Sequence, residues 1–339
     1  MKPVDLRSDT VTRPCAAMRK VMAEAEVGDD VYGEDPTVNR LEAMAAERLG
    51  KQASIFVPSG TMSNLIALLS HCARGDEYIA GQEAHIYRWE GGGGAIFGGI
   101  QPQPIDFEQD GTLDLDKVSR VVKPLDQHHT VTRLLCLENT QGGRVLPLDY
   151  LDRAMLCARS HGLSLHLDGA RLYNAAVHQG IPAAAIASRF DSVSVCLSKG
   201  LGAPAGSVLC GSSELIAKAR RWRKVAGGGM RQSGILAAAC IYALENNVDR
   251  LAGDHDNAGL LASGLAHIEE LLVTPARTNM LFVTPAPGSA APLREALAAE
   301  GIIIGGGDVL RLVTHLDVTT ADVERTVAAF KRFYSARRS

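Results

Sequence analysis

The chain has 339 residues, 46% of them hydrophobic, with 35 Lys plus Arg against 38 Asp plus Glu and a formal net charge of −3. That length suffices for one large or two medium domains with a full core, and a near-neutral balance with no basic run before the terminal "RRS" argues against a nucleic-acid partner. No stretch approaches the ~20 apolar residues of a membrane span, and "MKPVDLRSDT" lacks the apolar core of a signal peptide, so a cytoplasmic protein is expected.

Helical and strand patterns alternate over most of the length, which predicts an α/β fold with a mostly parallel sheet. Asp35-Pro36 reads as an N-cap with proline at the first helical position. The helix it opens carries Val38, Leu41, Ala45 and Leu49 on one face and stops at Gly50. The turn "VPSGT" leads into a second helix over 61–72. The glycine-rich "EGGGGAIFGG" (90–99) has little backbone restraint and is expected to form a loop close to something bulky. Strands are expected over 134–137, 163–167, 192–197 and 207–209, with helices such as 148–160 among them. The seven cysteines form no CxxC pair, and Cys136, Cys196 and Cys240 sit in apolar runs, so buried thiols are expected rather than disulfides or a metal site. After Met230 a helix over 234–246 leads into a helical pattern over 248–270. Short strands at 278–283, 301–305 and 309–313 and a last helix over 319–336 then predict a smaller α+β domain after about residue 245.

Ligands of an α/β sheet gather at the carboxyl ends of its strands, and three predicted ends carry polar residues that a core would not select. Lys199, in "CLSKG", either reaches solvent or is a desolvated amine able to attack a carbonyl. Gly200 and Gly202 after it would let a rigid ring approach the backbone. Asp168, in "LHLDGAR", needs a cationic partner: Arg171 three residues on, or a pyridinium nitrogen, which takes an Asp or Arg partner in pyridoxal phosphate sites. The "PSGT" turn, with Ser59, Gly60 and Thr61, is either an ordinary helix start or an anion cradle. His85, in "EAHIYRWE", is a structural histidine or a ring stacked on a cofactor. His128 and His129 lie in the polar stretch "LDQHHT", where surface exposure is the default.

The motifs together resemble the low-specificity L-threonine aldolases, including the L-allo-threonine aldolases, of the fold-type-I (aspartate-aminotransferase-like) enzymes that use pyridoxal 5′-phosphate. The resemblance runs over nearly the whole chain, through "DLRSDTVTRP" (5–14), "VGDDVYGEDPTVNRLE" (27–42), "VPSGTMSN", "AHIY", "LENTQGGRVLP", "LHLDGAR", "SVSVCLSKGLGAP", "GGGMRQSGILAAA" (227–239) and "LRLVTHLDV" (310–318). It implies an N-terminal segment near the active site (1–30), a large cofactor-binding domain (31–245) and a small C-terminal domain (246–339). It also implies roles: Lys199 as the Schiff-base lysine, Asp168 as the partner of the pyridine nitrogen, and His85 stacked on the ring. Ser59, Gly60 and Thr61 would bind the phosphate, with Arg231 reaching it from a neighbouring subunit. Ser8, Arg171 and Arg311 would clamp the substrate carboxylate, and His128 would lie near the β-hydroxyl. The implied assembly is a homotetramer, a dimer of dimers with sites at the dimer interface, and no metal is implied. One departure is visible: where the family usually carries His-Asn-Gly-Lys, this chain has Gln141, Gly142, Gly143 and Arg144, which removes one polar group from that loop.

The implied reaction is retro-aldol cleavage of L-threonine or L-allo-threonine to glycine and acetaldehyde, with His85, His128 or water as the base for the β-hydroxyl. The nearest rival is β-elimination on the same scaffold. Serine hydroxymethyl transfer would call for a folate-binding insertion, which this short chain does not show. A non-catalytic sensor on this fold would carry a DNA-binding arm or lose the lysine, and Lys199 is retained.

Overall fold

The computed structural model describes residues 2–338, so Met1 and the last residue of the basic terminus, Ser339, lie outside the described residues. In chain order the strands are β1 (Val4–Asp5), β2 (Ala53–Val57), β3 (Asp76–Gly81), β4 (Gln101–Ile105), β5 (Val131–Glu138), β6 (Ser164–Asp168), β7 (Ser192–Cys196), β8 (Ser207–Gly211), β9 (Leu271–Val273), β10 (Met280–Pro285), β11 (Ile302–Ile303) and β12 (Leu310–Val313). The central sheet has seven strands in the order β2-β8-β7-β6-β5-β3-β4. All neighbours pair in parallel except β8, which runs antiparallel to both β2 and β7. Every residue of β7 and β8 is buried, as expected for strands covered on both faces. At the outer edge, β4 reads "QPQPI". Its prolines at 102 and 104, two residues apart, both turn their missing N–H to the same side, which only an edge strand tolerates.

The helix Pro36–Leu49 forms as its sequence dictates. Asp35 Oδ1 accepts from Thr37 N (3.1 Å) and Val38 N (3.0 Å), and Gly50 ends the helix in the left-handed conformation at φ 62°. The same carboxylate ties in two distant backbones, because Oδ2 accepts from Gly28 N (3.2 Å) and Gly234 N (2.8 Å). The glycine-rich stretch differs from expectation. Residues Gly93–Gly98 form a short helix between left-handed Gly92 and Gly99. The closeness to something bulky is present: a Cβ at Gly94 would stand 3.0 Å from Leu68 Cδ1, and one at Gly98 would stand 2.8 Å from Leu69 Cδ2. The glycines therefore let this helix lie flat on the helix Gly60–His71.

A second core joins both ends of the chain. Val4 and Leu6 pack with residues from Ala258 to Tyr334. β1 pairs in parallel with β11, Val4 opposite Ile302, while β12, β10 and β9 form an antiparallel sheet. All seven cysteines are free thiols, and Cys136, Cys196 and Cys240 are buried, as expected. Among the described residues no helix is long and apolar enough to cross a membrane.

Asp35→Ala is expected to lower stability by about 3 kcal/mol, combining the lost cap with two stranded backbone N–H groups, that of Gly234 buried and that of Gly28 partly so. Urea unfolding should show this as a lower midpoint at unchanged slope.

Candidate active site

Because β8 reverses direction, β2 points the same way as β7, and the carboxyl ends of β2, β3, β5, β6 and β7 share one rim of the sheet. A cavity of ≈ 160 Å³ opens there. Ser59, Gly60, Thr61, His85, Asp168 and Lys199 line it, together with Asn64 and Glu90. A larger hollow of ≈ 530 Å³ beside Arg48, Tyr173 and Val177 lacks comparable convergence of ionisable groups, and convergent polar groups mark a site better than volume does.

Lys199 follows β7, half-buried, and its backbone carbonyl accepts from Gly202 N (2.8 Å) and Thr12 Oγ1 (3.0 Å). Its Nζ has no hydrogen-bond or ion-pair partner among the described residues. The two glycines expected to admit a ring serve the protein instead. Gly202 sits at φ 82°, where a Cβ would meet Leu316 Cδ2 at 2.6 Å, and a Cβ on Gly200 would press on Leu251 at 3.0 Å. Ser59 caps the helix Gly60–His71 through Met62 N (3.2 Å), which leaves the first-turn N–H groups of Gly60 and Thr61 for another acceptor.

Asp168, the last residue of β6, is buried. It accepts from Asn64 Nδ2 (2.8 Å) and Ala170 N (3.1 Å). The expected alternative, an ion pair of Asp168 with Arg171, is not formed. Arg171 instead grips Asp9 through Nε (2.7 Å) and Nη2 (2.6 Å), and Asn279 Nδ2 also donates to Asp9 at 3.2 Å. Burial alone would raise the Asp9 carboxyl, but Arg171 holds it well below the usual carboxylate range. Burial works against the charge on Arg171, and Asp9 more than offsets it. Arg311 lies on β12 opposite Phe282, and burial, together with the nearby charge of Arg171, pulls its pKa down. Ser8 caps the short turn that carries Asp9. Thus Ser8, Arg171 and Arg311 converge.

His85 donates its backbone N–H to Glu138 (2.8 Å) and places Nδ1 2.7 Å from Glu90 Oε1. The bond to Glu90 raises the His85 pKa, while burial raises that of Glu90. Burial and the charge of Asp168 push Glu138 up to about 7. His85, Glu90 and Asp168 each offer a ligand atom within 4.8 Å of the others. However, Asn64 Nδ2 donates to both carboxylates at 2.8 Å, so an amide holds the acids together.

Two expected residues stand apart in this chain. Arg231 is exposed and pairs with Asp29 (2.8 Å). His128 lies on an exposed loop before β5, and the eight residues of that strand put it about 25 Å from the rim. The departing loop is ordered by its own turn. Gln141 and Arg144 exchange backbone hydrogen bonds at 3.0 and 2.9 Å across Gly142 (φ 54°) and Gly143 (φ 80°), as in a tight hairpin.

The sequence reading missed Asp9, Asn64, Glu90, Glu138 and His166. His166 carried a signal: two residues before Asp168 on one strand, it must share that residue's face. It is fully buried, with Nε2 3.2 Å from Asn64 Oδ1 and Nδ1 2.8 Å from Ser192 Oγ.

The family model for β-eliminating lyases matches residues 5–287. The low specificity L-threonine aldolase of Escherichia coli (strain K12) is 54% identical over 330 residues, 97% of this chain and 99% of its own. Among solved structures, threonine aldolase of Leishmania major superposes with a TM-score of 0.85 at 23% identity, covering 98% of this chain and 99% of that one. A chain solved as SPT with PLP superposes with a TM-score of 0.74 at 17% identity, covering 98% and 88%. At those identities the two structures establish a shared fold.

Burial pushes His166 from its ordinary 6.5 down to about 3. The unfolded chain therefore takes up a proton that the folded chain refuses, and stability falls as pH drops through this window. Relative to wild type, His166→Gln should flatten the dependence of unfolding free energy on pH by about 1.4 kcal/mol per unit, roughly between pH 6 and 4.

Proposed function

We propose a function from one premise: the chain belongs to the low-specificity L-threonine aldolases, within the β-eliminating lyase family and on the fold-type-I scaffold. It cleaves L-threonine, L-allo-threonine and related β-hydroxy-α-amino acids to glycine and the corresponding aldehyde, with pyridoxal 5′-phosphate as cofactor. The observation that carries this reading is the meeting of Lys199, Asp168 and the Gly60–Thr61 turn in one cavity.

The residues present fit that cofactor. An unpartnered amine suits its aldehyde, a buried carboxylate suits a pyridine N–H, and free first-turn amides suit a phosphate. The close approach of the turn depends on Gly60, where a Cβ would stand 2.4 Å from Cys196 Sγ. Bound there, the cofactor supplies a sink for the electrons released when the Cα–Cβ bond breaks.

The chain's own groups supply the rest. Asp168 accepts from two N–H donors, which orient its carboxylate as the acceptor that would hold a proton at the pyridine nitrogen. Arg171 and Arg311 present planar forks to the substrate carboxylate. The Ser8 hydroxyl, which accepts from Thr10 N, keeps its own proton for the same carboxylate. Fixing that group would restrict rotation about the substrate's N–Cα bond and so select which bond at Cα breaks. His85 donates Nδ1–H to Glu90, so its Nε2 lone pair is available to take the β-hydroxyl proton. The role implied for His128 requires delivery from a neighbouring copy, as does that of Arg231. A homotetramer whose sites lie at the dimer interface would supply both.

β-Elimination is kept as the second reading because the matching family model carries that name. Incubation with L-threonine separates the two: equal amounts of glycine and acetaldehyde are expected, whereas 2-oxobutyrate and ammonia would establish elimination. Lys199→Ala should lower kcat at least ~1,000-fold, and full turnover by that variant would overturn the assignment. Asp9→Asn frees the Arg171 fork, and should raise KM for L-threonine about tenfold with kcat nearly unchanged, since the lost grip is uniform binding.

A further inference from the structure

One set of polar groups runs from Asn64, in the cavity wall, back into the protein, and beyond Asn64 it has no part in the reaction above. Asn64 and His71 are seven residues apart on the helix Gly60–His71, so they share a face about 10 Å long. Beneath that face His166 of β6 and Ser192 of β7 are directly paired across the sheet. Their side chains join into one chain of hydrogen bonds. His71 Nε2 is 2.7 Å from Ser192 Oγ, which is 2.8 Å from His166 Nδ1. His166 Nε2 is 3.2 Å from Asn64 Oδ1, and Asn64 Nδ2 reaches both Asp168 and Glu90 at 2.8 Å.

The direction of every proton in this chain follows from its end. Two carboxylates can only accept, so the group facing them is the Asn64 NH₂ and its oxygen faces His166. That oxygen accepts, so His166 carries its proton on Nε2. A neutral imidazole then has a lone pair at Nδ1, and burial keeps His166 neutral. Ser192 must donate to that lone pair, and its oxygen accepts from His71 Nε2–H. Reversing any one bond leaves a buried donor facing a donor or an acceptor facing an acceptor.

We propose that Asn64 and His166 are positioning residues: with Ser192 and His71 they form a one-way hydrogen-bond relay that presents Asp168 as an oriented acceptor to the cofactor's pyridine nitrogen. This rests on the cofactor reading above. Of its members only Asn64 lines the cavity; His166, Ser192 and His71 lie behind it. It acts through Asp168 by supplying a donor whose orientation is fixed from behind, as outer-shell partners fix metal ligands.

The test compares two ligands on the purified apoprotein: pyridoxal 5′-phosphate and its deaza analogue, which carries carbon at the place of the ring nitrogen. Both keep the phosphate and the aldehyde, so the ratio of their dissociation constants isolates the contact at Asp168. Wild type should bind the pyridine more tightly by about tenfold or more. His166→Leu and Asn64→Leu should shrink that preference about tenfold. His166→Gln should retain it, because its amide can donate to Asn64 and accept from Ser192. Equal weakening of both ligands in the leucine variants would mean a structural role only and would overturn the relay, as would an unchanged ratio. If the leucine variants fail to fold by circular dichroism, Ser192→Ala decides the matter: it removes one hydroxyl and frees the His166 tautomer, so its ratio should fall, and a wild-type ratio refutes the relay. Failure of wild type to bind pyridoxal 5′-phosphate at all would instead sink the cofactor reading.

Discussion

The carboxylate of Asp9, with no exposed surface, holds the guanidinium of Arg171 in a two-point grip, and the rest of the site is arranged around that bond. Asp9 comes from the N-terminal segment, whose first strand pairs with β11. Arg171 comes from the turn after β6 in the central sheet. Asn279, just before β10, bonds the same carboxylate. One ion pair therefore locks the two cores together at the rim where Arg311 also arrives. Leaving either charge alone in such surroundings costs about 3–5 kcal/mol, so the pairing is strongly specified.

Charge accounting explains why the cavity tolerates so many acids. Asp168, Glu90 and Glu138 gather near Lys199 and His85, and burial raises the pKa of Glu90 and Glu138. Asn64 meets two of the acids without adding charge, while the backbone N–H of His85 meets the third. Neutral donors let the carboxylates sit close together while Lys199 keeps its amine free of a fixed partner. An amine locked in an ion pair could not serve as a nucleophile.

Close packing against different neighbours explains three glycines of these motifs. Gly60 is required where the helix start approaches Cys196 beneath the cradle. Gly200 and Gly202, a few residues along a motif that also looks cofactor-bound, answer to Leu251 and Leu316. Motif membership does not reveal which neighbour excludes the Cβ; only packing does.

Much was legible in the residues themselves. The helices over 148–160 and 234–246, the Asp35 cap and the strands ending at Asp168 and near Lys199 follow from local periodicity and capping, which depend on neighbours in the chain. The strands missed were β1, only two residues long, β3 and β9, and β4, which its prolines disguise, while β2 was marked only by the turn that follows it. The "EGGGG" stretch misled because glycine's freedom hides a helix held by the groove it fills. Lys199, Asp168 and the Gly60 turn announced their chemistry because each ends a strand, a position that sequence reveals. The partner of Arg171 did not: Asp9 lies 162 residues away, and no local pattern encodes a meeting between two cores. Nor could sequence show that His166, Ser192, Asn64 and His71 form one chain of bonds, because strand order and register place them together. Sequence set which groups this protein possesses and which strand ends bear them. Tertiary structure decided which groups face one another, since hydrogen bonds and ion pairs depend on ångström distances that chain separation leaves free.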